Sequence, residues 1–325
     1  MTPSGPELRA RESEPDDDDG AFARALMAGL AGHPRRLPCK FFYDEVGSAL
    51  FDRICELPEY YPTRTELAIL ADHAHAMAAR IGADAEIVEF GAGSGKKIRL
   101  LLDALVRPVA YLPIDISGPH LLAASADLAK RYPALRIEPI VADYTRPFGL
   151  PPMKPNARRR AGFFPGSTIG NFAPADAARF LRQTRSVLAG GGLLIGVDLV
   201  KDPAVLHAAY NDAAGVTASF NRNILVRANA ELGADFRPER FAHYAHYNPV
   251  AQRIEMHLVS LERQSVSLLG RRFEFAEGEA VHTEDSYKHT VTGFEALCIS
   301  AGFLADSVWR DSNGYFAVFW LEAAA

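Results

Sequence analysis

The sequence predicts an α/β fold: a mostly parallel, doubly wound sheet with helices on both faces, joined to a second α+β layer. Three observations predict it. Short apolar runs alternate with helical patterns between about residues 65 and 200. A glycine-rich turn, Gly91 to Gly95, joins the first of those runs to the first of those helices. A chain of 325 residues also has room for about two domains of ordinary size.

The elements follow in order. Phe22, Ala23, Leu26, Met27 and Leu30 recur at helical spacing over 21–31. Two irregular, aromatic-rich segments come next, 37–44 and 57–66. Pro58 and Pro62 argue against one continuous helix through the second, and Thr63 or Thr65 can cap the helix that follows. Glu86 to Phe90 reads as a buried strand. Ile98, Leu101, Leu102 and Leu105 form an amphipathic stripe. Strands are expected over 110–114, 136–142, from 162 and over 193–199, with helices over 119–131 and 175–188. Right-handed crossovers between parallel strands follow. Residues 202–232 read as helical. Residues 240–285 alternate as strands, with Ile254, Met256 and Leu258 on one face and Glu255 and His257 on the other. That block is too long for a connection and implies a second layer. A hairpin over 303–321, turning at Asp311 to Gly314, suits an antiparallel sheet edge.

Composition removes several function classes. No run of about 18 apolar residues offers a membrane span. The first twenty residues are polar and carry the acidic run Asp16 to Asp19, the reverse of a secretory signal; they read as a disordered, solvated tail. Lys plus Arg number 35 against 40 Asp plus Glu, a formal charge of −5, which disfavours nucleic-acid binding. The one basic cluster, Arg158 to Arg160, follows a proline-rich stretch and reads as an exposed loop. Cys39, Cys55 and Cys298 lie far apart, which fits a reducing, cytoplasmic compartment and no disulfide framework. His207, His243, His246, His257 and His282 lack metal-ligand spacing, and no metal is assigned.

The chemistry sits at the carboxyl ends of the strands. The loop Gly91-Ala92-Gly93-Ser94-Gly95 spaces its glycines as G-x-G-x-G, which disfavours nicotinamide and nucleoside-triphosphate sites. Asp115 ends the second strand and Asp143 the third. An acid after strand two accepts ribose hydroxyls, and one after strand three an adenine amino group. Glycine loop, acid and acid together are the pattern of class I methyltransferases that bind S-adenosylmethionine.

The chain then strongly resembles one family, the L-histidine Nα-methyltransferases of ergothioneine biosynthesis. The resemblance runs from about residue 35 to 322. It rests on blocks such as Phe42 to Ser48, Leu57 to Glu66, Phe164 to Asn171, Asp198 to Asp202, Ala209 to Thr217, Arg253 to Met256 and Thr283 to Ser286. The resemblance implies a Rossmann-like class I methyltransferase domain, 64–200 and 288–325, and a substrate-binding domain built from 21–63 and 201–287. It implies S-adenosylmethionine as co-substrate and trimethylation of L-histidine to hercynine. The charge and hydropathy point to no nucleic-acid or membrane partner, and the sequence is compatible with a monomer without fixing the oligomeric state. By position, Gly91, Lys97, Asp115, Asp143 and Tyr144 look like cofactor contacts. Tyr60, Asn171, Tyr210, Glu284 and Ser286 look like histidine contacts, with Met256 beside the imidazole and Tyr43 near the reacting amine. The loop differs from members that carry Ser or Thr where Ala92 and Gly95 stand, which leaves backbone binding intact.

Other readings of the same residues stay open at this level. Asp115 and Asp143 each suit a helix N-cap. Tyr60 and Met256 suit a core, Glu284 and Ser286 a solvent-facing edge strand, and Asn171 a turn. An Nα-methyltransferase acting on tryptophan or tyrosine, a non-catalytic S-adenosylmethionine sensor, and an RNA methyltransferase are the competing functions. Glu284, Ser286 and Met256 favour an imidazole over the first, the amino-acid positions weigh against the second, and the charge balance weighs against the third.

Overall fold

The computed structural model describes residues 11–12, 20–93 and 95–324. The acidic run of the tail lies outside the described residues. Strand β1 (Arg11–Glu12) comes first, and helix α1 (Ala21–Ala31) buries Phe22, Leu26 and Leu30, one helical stripe. After β2 (Arg35–Arg36) and a 3-10 turn over Cys39–Phe42, Asp44 caps α2 (Glu45–Glu56), its carboxylate accepting the Gly47 N–H at 2.7 Å. Helix α3 spans Tyr61–Ile81, so Thr63 and Thr65 lie inside it and do not cap it. Pro62 is tolerated because the first turn of a helix needs no backbone N–H from it.

The βα alternation then runs β3 (Ala85–Phe90), α4 (Lys96–Ala104), β4 (Ala110–Asp115) and α5 (Gly118–Arg131). The strand expected over 136–142 is split into β5 (Arg136–Ile137) and β6 (Ile140–Val141). Pro139 lies between them and has no N–H to give a ladder. Next come β7 (Arg159–Phe164), α6 (Pro174–Val187), β8 (Gly192–Asp198), α7 (Pro203–Tyr210) and α8 (Val216–Leu232). Asp212 holds the start of α8, accepting the Val216 and Thr217 amides at 2.8 Å each. Strands β9 (Phe241–Asn248), β10 (Arg253–Ser260), β11 (Gln264–Leu268), β12 (Arg271–Phe275) and β13 (Ala280–Tyr287) follow. Helix α9 (Val291–Ser300) has no counterpart among the sequence expectations; Thr290, accepting the Gly293 N–H at its start, is the signal that marks it. The chain ends in β14 (Phe303–Arg310) and β15 (Phe316–Ala323).

Two compact units result. One holds Pro62–Leu199 and residues 11–12 and 289–324; the other holds residues 20–61 and Val200–Lys288. Among the described residues the first unit carries a nine-stranded sheet, ordered β1-β6-β4-β3-β7-β8-β15-β14, with β5 also on β4. All pairs from β1 to β8 are parallel; β15 runs antiparallel between β8 and β14. Both sheet faces are buried. Phe90, Leu112, Phe164 and Ile195 belong to one core, and Ile87, Tyr111, Phe163 and Leu194 to the other. This is the doubly wound α/β class the alternation predicts. The second unit carries a four-stranded sheet, β2-β13-β10-β9, and the separate hairpin β11–β12. Helix α8 packs on β9 and β10, and Ile254, Met256 and Leu258 are buried on alternate positions. No helix among the described residues is long and apolar enough to cross a membrane.

The basic cluster departs from expectation. Arg158 is exposed and pairs with Asp84, but Arg159 and Arg160 belong to β7, so the cluster is not an exposed loop. Arg160 is buried, its Nε 2.9 Å from Glu86 Oε2 and its Nη2 donating to the Pro151 carbonyl. A buried guanidinium survives there because carboxylate and carbonyl replace its water. Arg160→Ala leaves the Glu86 charge buried with no cation beside it and only the Lys154 amide as partner. It should lower stability by about 3–5 kcal/mol in urea unfolding, and the double change Glu86→Leu with Arg160→Met should recover most of that loss.

Candidate active site

In the first unit, the turn after β3 carries the glycines. Gly91 has φ +74° and Gly95 φ +69°, backbone shapes that side chains resist. The Gly91 and Ala92 amides both donate to the Ile114 carbonyl, at 2.9 and 3.0 Å. Those two N–H groups therefore tie the loop to β4, and Gly91 serves by its shape. A Cβ on Gly91 would stand 3.3 Å from the Tyr144 hydroxyl, while one on Gly93 would meet nothing within 4 Å. The loop is thus bare at Gly93 and closely lined by Tyr144 at Gly91.

Asp115 ends β4, where its Oδ1 accepts the Ser117 N–H at 2.8 Å. Burial pushes its carboxyl above the usual range, against the pull of the Ser117 amide and His120. Asp143 follows β6. Its Oδ1 accepts the N–H and hydroxyl of Thr145, and Arg146 lies 3.7 Å away. No helix follows Asp143, so the N-cap weighed for it does not hold; its carboxylate anchors a turn at Thr145 instead. Lys97 Nζ sits 2.6 Å from Glu66 Oε2, and Glu66 is fully buried. Both Glu66 oxygens also accept the Gly166 N–H, at 3.0 and 2.8 Å. Glu66 had no role from sequence. Glu89, buried on β3, accepts from the Tyr111 hydroxyl, and burial pushes its carboxyl up to about 8. Asn171 closes the 3-10 turn Thr168–Asn171 of this unit and is half-buried.

In the second unit, the remaining candidates share one neighbourhood. Glu284 and Ser286 lie two apart on β13, opposite Met256 and Ile254 of β10. Both are buried, so the solvent-facing alternative does not hold for either. Ser286 Oγ lies 2.7 Å from the Tyr210 hydroxyl. Tyr60 meets Tyr210 edge-on at 6.3 Å between ring centroids, and Phe51 at 6.3 Å. Phe51 in turn meets Tyr43 at 5.6 Å. Tyr43 is placed by its neighbour Asp44, which accepts from Asn223 Nδ2 at 2.8 Å as well as capping α2. The end of α7 is fixed by His243, whose Nε2 donates to the Tyr210 carbonyl at 2.8 Å.

A residue absent from the sequence reading completes this group. Lys288 is 2% exposed, and its Nζ donates to Ser286 Oγ at 2.8 Å and to the Tyr210 hydroxyl at 3.0 Å. Period-two alternation, Glu284, Ser286, Lys288, was the signal that points to it. Burial pushes Glu284 up to about 7; the Lys288 cation opposes that rise and Asp285 adds to it. Burial and the neighbouring Tyr210 push the Tyr60 phenol well above its ordinary value, so it stays protonated at neutral pH.

Residues 22–323 match a family described as histidine-specific methyltransferase, SAM-dependent. A Mycolicibacterium smegmatis protein named histidine N-alpha-methyltransferase is 42% identical over 92% of this chain and 94% of its own. The Mycobacterium tuberculosis protein of the same name is 40% identical, with the same coverage of both chains. Ergothioneine biosynthesis protein 1 of Neurospora crassa is 33% identical over 87% of this chain, which spans 32% of that longer protein.

Lys288→Met removes the cation that favours the Glu284 carboxylate. The Glu284 titration, followed by carbon NMR of labelled carboxyls, should move up from about 7. An unmoved titration would show that Lys288 does not act on Glu284.

Proposed function

The chain belongs to the histidine-specific, S-adenosylmethionine-dependent methyltransferase family, and from that premise we propose that it methylates the α-amine of L-histidine three times, giving hercynine for ergothioneine synthesis. The observation that carries the substrate assignment is the pairing of a buried acid and a buried hydroxyl, Glu284 and Ser286, beside Met256. An imidazole presents one N–H and one bare nitrogen. The Glu284 carboxylate accepts from the first. With Tyr210 donating to Ser286 and Lys288 donating to both oxygens, the Ser286 proton is directed to the second. The Met256 thioether lies against the ring. A substrate lacking the ring N–H, or offering only an apolar ring, leaves Glu284 desolvated and unpaired.

S-adenosylmethionine supplies an electrophilic methyl on a sulfonium, which leaves as a neutral sulfide and needs no general acid. The residues of the first unit fit it. The loop is bare at Gly93, Asp115 offers a carboxylate to the ribose hydroxyls, and Tyr144 lines Gly91. Glu66 holds Lys97 and the Gly166 amide in place, so Lys97 acts through position and charge. Asp143 is assigned to the adenine edge.

The amine must present a lone pair in line with the methyl, so one proton leaves before each transfer. Tyr60, held protonated by burial, serves as a hydrogen-bonding partner to the amine and not as its base. Tyr43 passes the proton to water. Asn171 is assigned a donor to the substrate carboxylate, while Tyr210, its one hydroxyl proton given to Ser286, acts by orienting that hydroxyl. The aromatic faces of Tyr43 and Tyr60 favour the quaternary ammonium of the product. Three free cysteines fit a cytoplasmic setting.

Mass spectrometry of histidine incubated with the protein and S-adenosylmethionine should show gains of one, two and three methyl groups. No gain with any amino acid, despite cofactor binding, would favour a sensor. Glu284→Ala should raise KM for histidine roughly 10- to 100-fold, the worth of a charge-assisted hydrogen bond, and leave the KM for the cofactor nearly unchanged. The ionised Glu284 accepts an imidazole N–H far more strongly than the protonated acid does, and burial pushes its carboxyl up to about 7. Histidine binding should therefore weaken as pH falls below about 7, and Glu284→Gln should lack that limb.

A further inference from the structure

The outward face of the second unit's sheet carries a cluster that the proposed reaction does not use. Glu255 and His257 lie on β10, His282 and Asp285 on β13, and His246 on β9. Register brings them together. Glu255 stands opposite both His246 and Asp285, and His257 opposite His282. The last pairing depends on a bulge. Met256 pairs with Glu284 and His257 with His282, so Thr283 is the extra residue, its Oγ1 donating to the Met256 carbonyl at 3.1 Å. Were Thr283 paired in the regular alternation, His282 would fall on the buried face with Glu284.

The rings are close. His257 meets His282 edge-on at 5.1 Å and stacks on His246 at 5.4 Å. One ligand atom each from Glu255, His257 and His282 lies within 4.8 Å of the others. Tetrahedral zinc ligands stand about 3.3 Å apart, so small side-chain rotations close the set.

Three details favour a cation over a self-contained hydrogen-bond cluster. The Nδ1 atoms of His246 and His257 are buried with no hydrogen-bond partner. Glu255 Oε2 lies 3.8 Å from His246 Nε2 and 3.9 Å from His257 Nε2, too far for hydrogen bonds. Its other oxygen is taken by Arg253 and Asn248, which orients Oε2. Finally, His282 Nε2 donates to Asp285 Oδ1 at 2.9 Å, which leaves its Nδ1 as the lone-pair nitrogen. A carboxylate behind an imidazole is the usual support of a metal ligand. Arg253 and Arg36 reach the same carboxylates, so those acids stay ionised without a metal.

We propose that Glu255, His257 and His282 form a site for a divalent transition-metal cation of the zinc class, with Asp285 orienting His282 and a fourth position open to water. Two imidazoles and one carboxylate are a zinc donor set, and an oxygen-seeking cation such as magnesium would not choose them. The ion would clamp β10 to β13, the pair whose other face carries Met256, Glu284 and Ser286.

The test uses the full chain, stripped with a chelator and titrated with zinc chloride against a chromophoric competitor. One zinc per chain is expected, with a rise in Tm. His257→Asn and His282→Asn should abolish both, and Asp285→Asn should weaken binding roughly 10- to 100-fold. His75→Asn, at an exposed helix position, should change neither. X-ray absorption at the zinc edge of the unaltered chain should show imidazole ligation, a readout that does not depend on the variants folding. Less than stoichiometric binding, binding retained in both histidine variants, or an edge without imidazole scattering would each overturn the site.

Discussion

One extra residue in β13 governs both faces of the second unit's sheet. Strands alternate strictly, so Glu284, Ser286 and Val281 could not all share a face without an interruption between them. Thr283 supplies it, unpaired across from the Met256–His257 step and bonded to the Met256 carbonyl. On one side, Glu284 is buried opposite Met256; on the other, His282 joins His257. Bulges are a common way to re-aim side chains at functional sites, and here a single insertion aims two sets.

The pocket side has an electrostatic logic of its own. Burying Glu284 costs solvation, and burial alone drives its carboxyl toward the neutral form. Lys288, itself buried, partly restores the charge. The same ammonium donates to Ser286 and Tyr210, so one residue sets both the charge of the acid and the proton direction of the hydroxyls. Such a network rewards a ligand with matched donors and acceptors and penalises one without, which is how a polar pocket discriminates strongly. An indole offers its N–H but no bare nitrogen, so it satisfies half of the pair.

In the first unit the comparable node is Glu66. A fully buried carboxylate on α3 takes the Lys97 ammonium and the Gly166 amide. Gly196 on β8 has no side chain because a Cβ there would stand 2.0 Å from Glu66 Oε1. Helix α3, the start of α4 and the turn after β7 are thereby referenced to one group. Lys97 at the head of α4 is thus placed by a partner 31 positions earlier, not by the glycine loop beside it.

The amino-acid order alone carries the α/β class, since parallel strands buried on both faces read as short apolar runs. It determined the glycine turn, the acids Asp115 and Asp143 at strand ends, and the family, because these are local patterns or long matching blocks. It also determined that Glu284 and Ser286 share a face, because a strand repeats every two residues. Which face that is, and what stands behind it, follow only from the folded arrangement. Tyr210 and Ser286 are 76 positions apart, and Glu66 and Gly166 are 100 apart, so no local period links them. Arg160 read as part of a basic loop because its partner Glu86 is 74 positions away. The histidine cluster carried no motif spacing, since its members come from three strands and meet only through register and one bulge. Short-range periodicity encodes local shape and burial; charge pairing, proton direction and ligand sets depend on which distant residues a fold sets side by side.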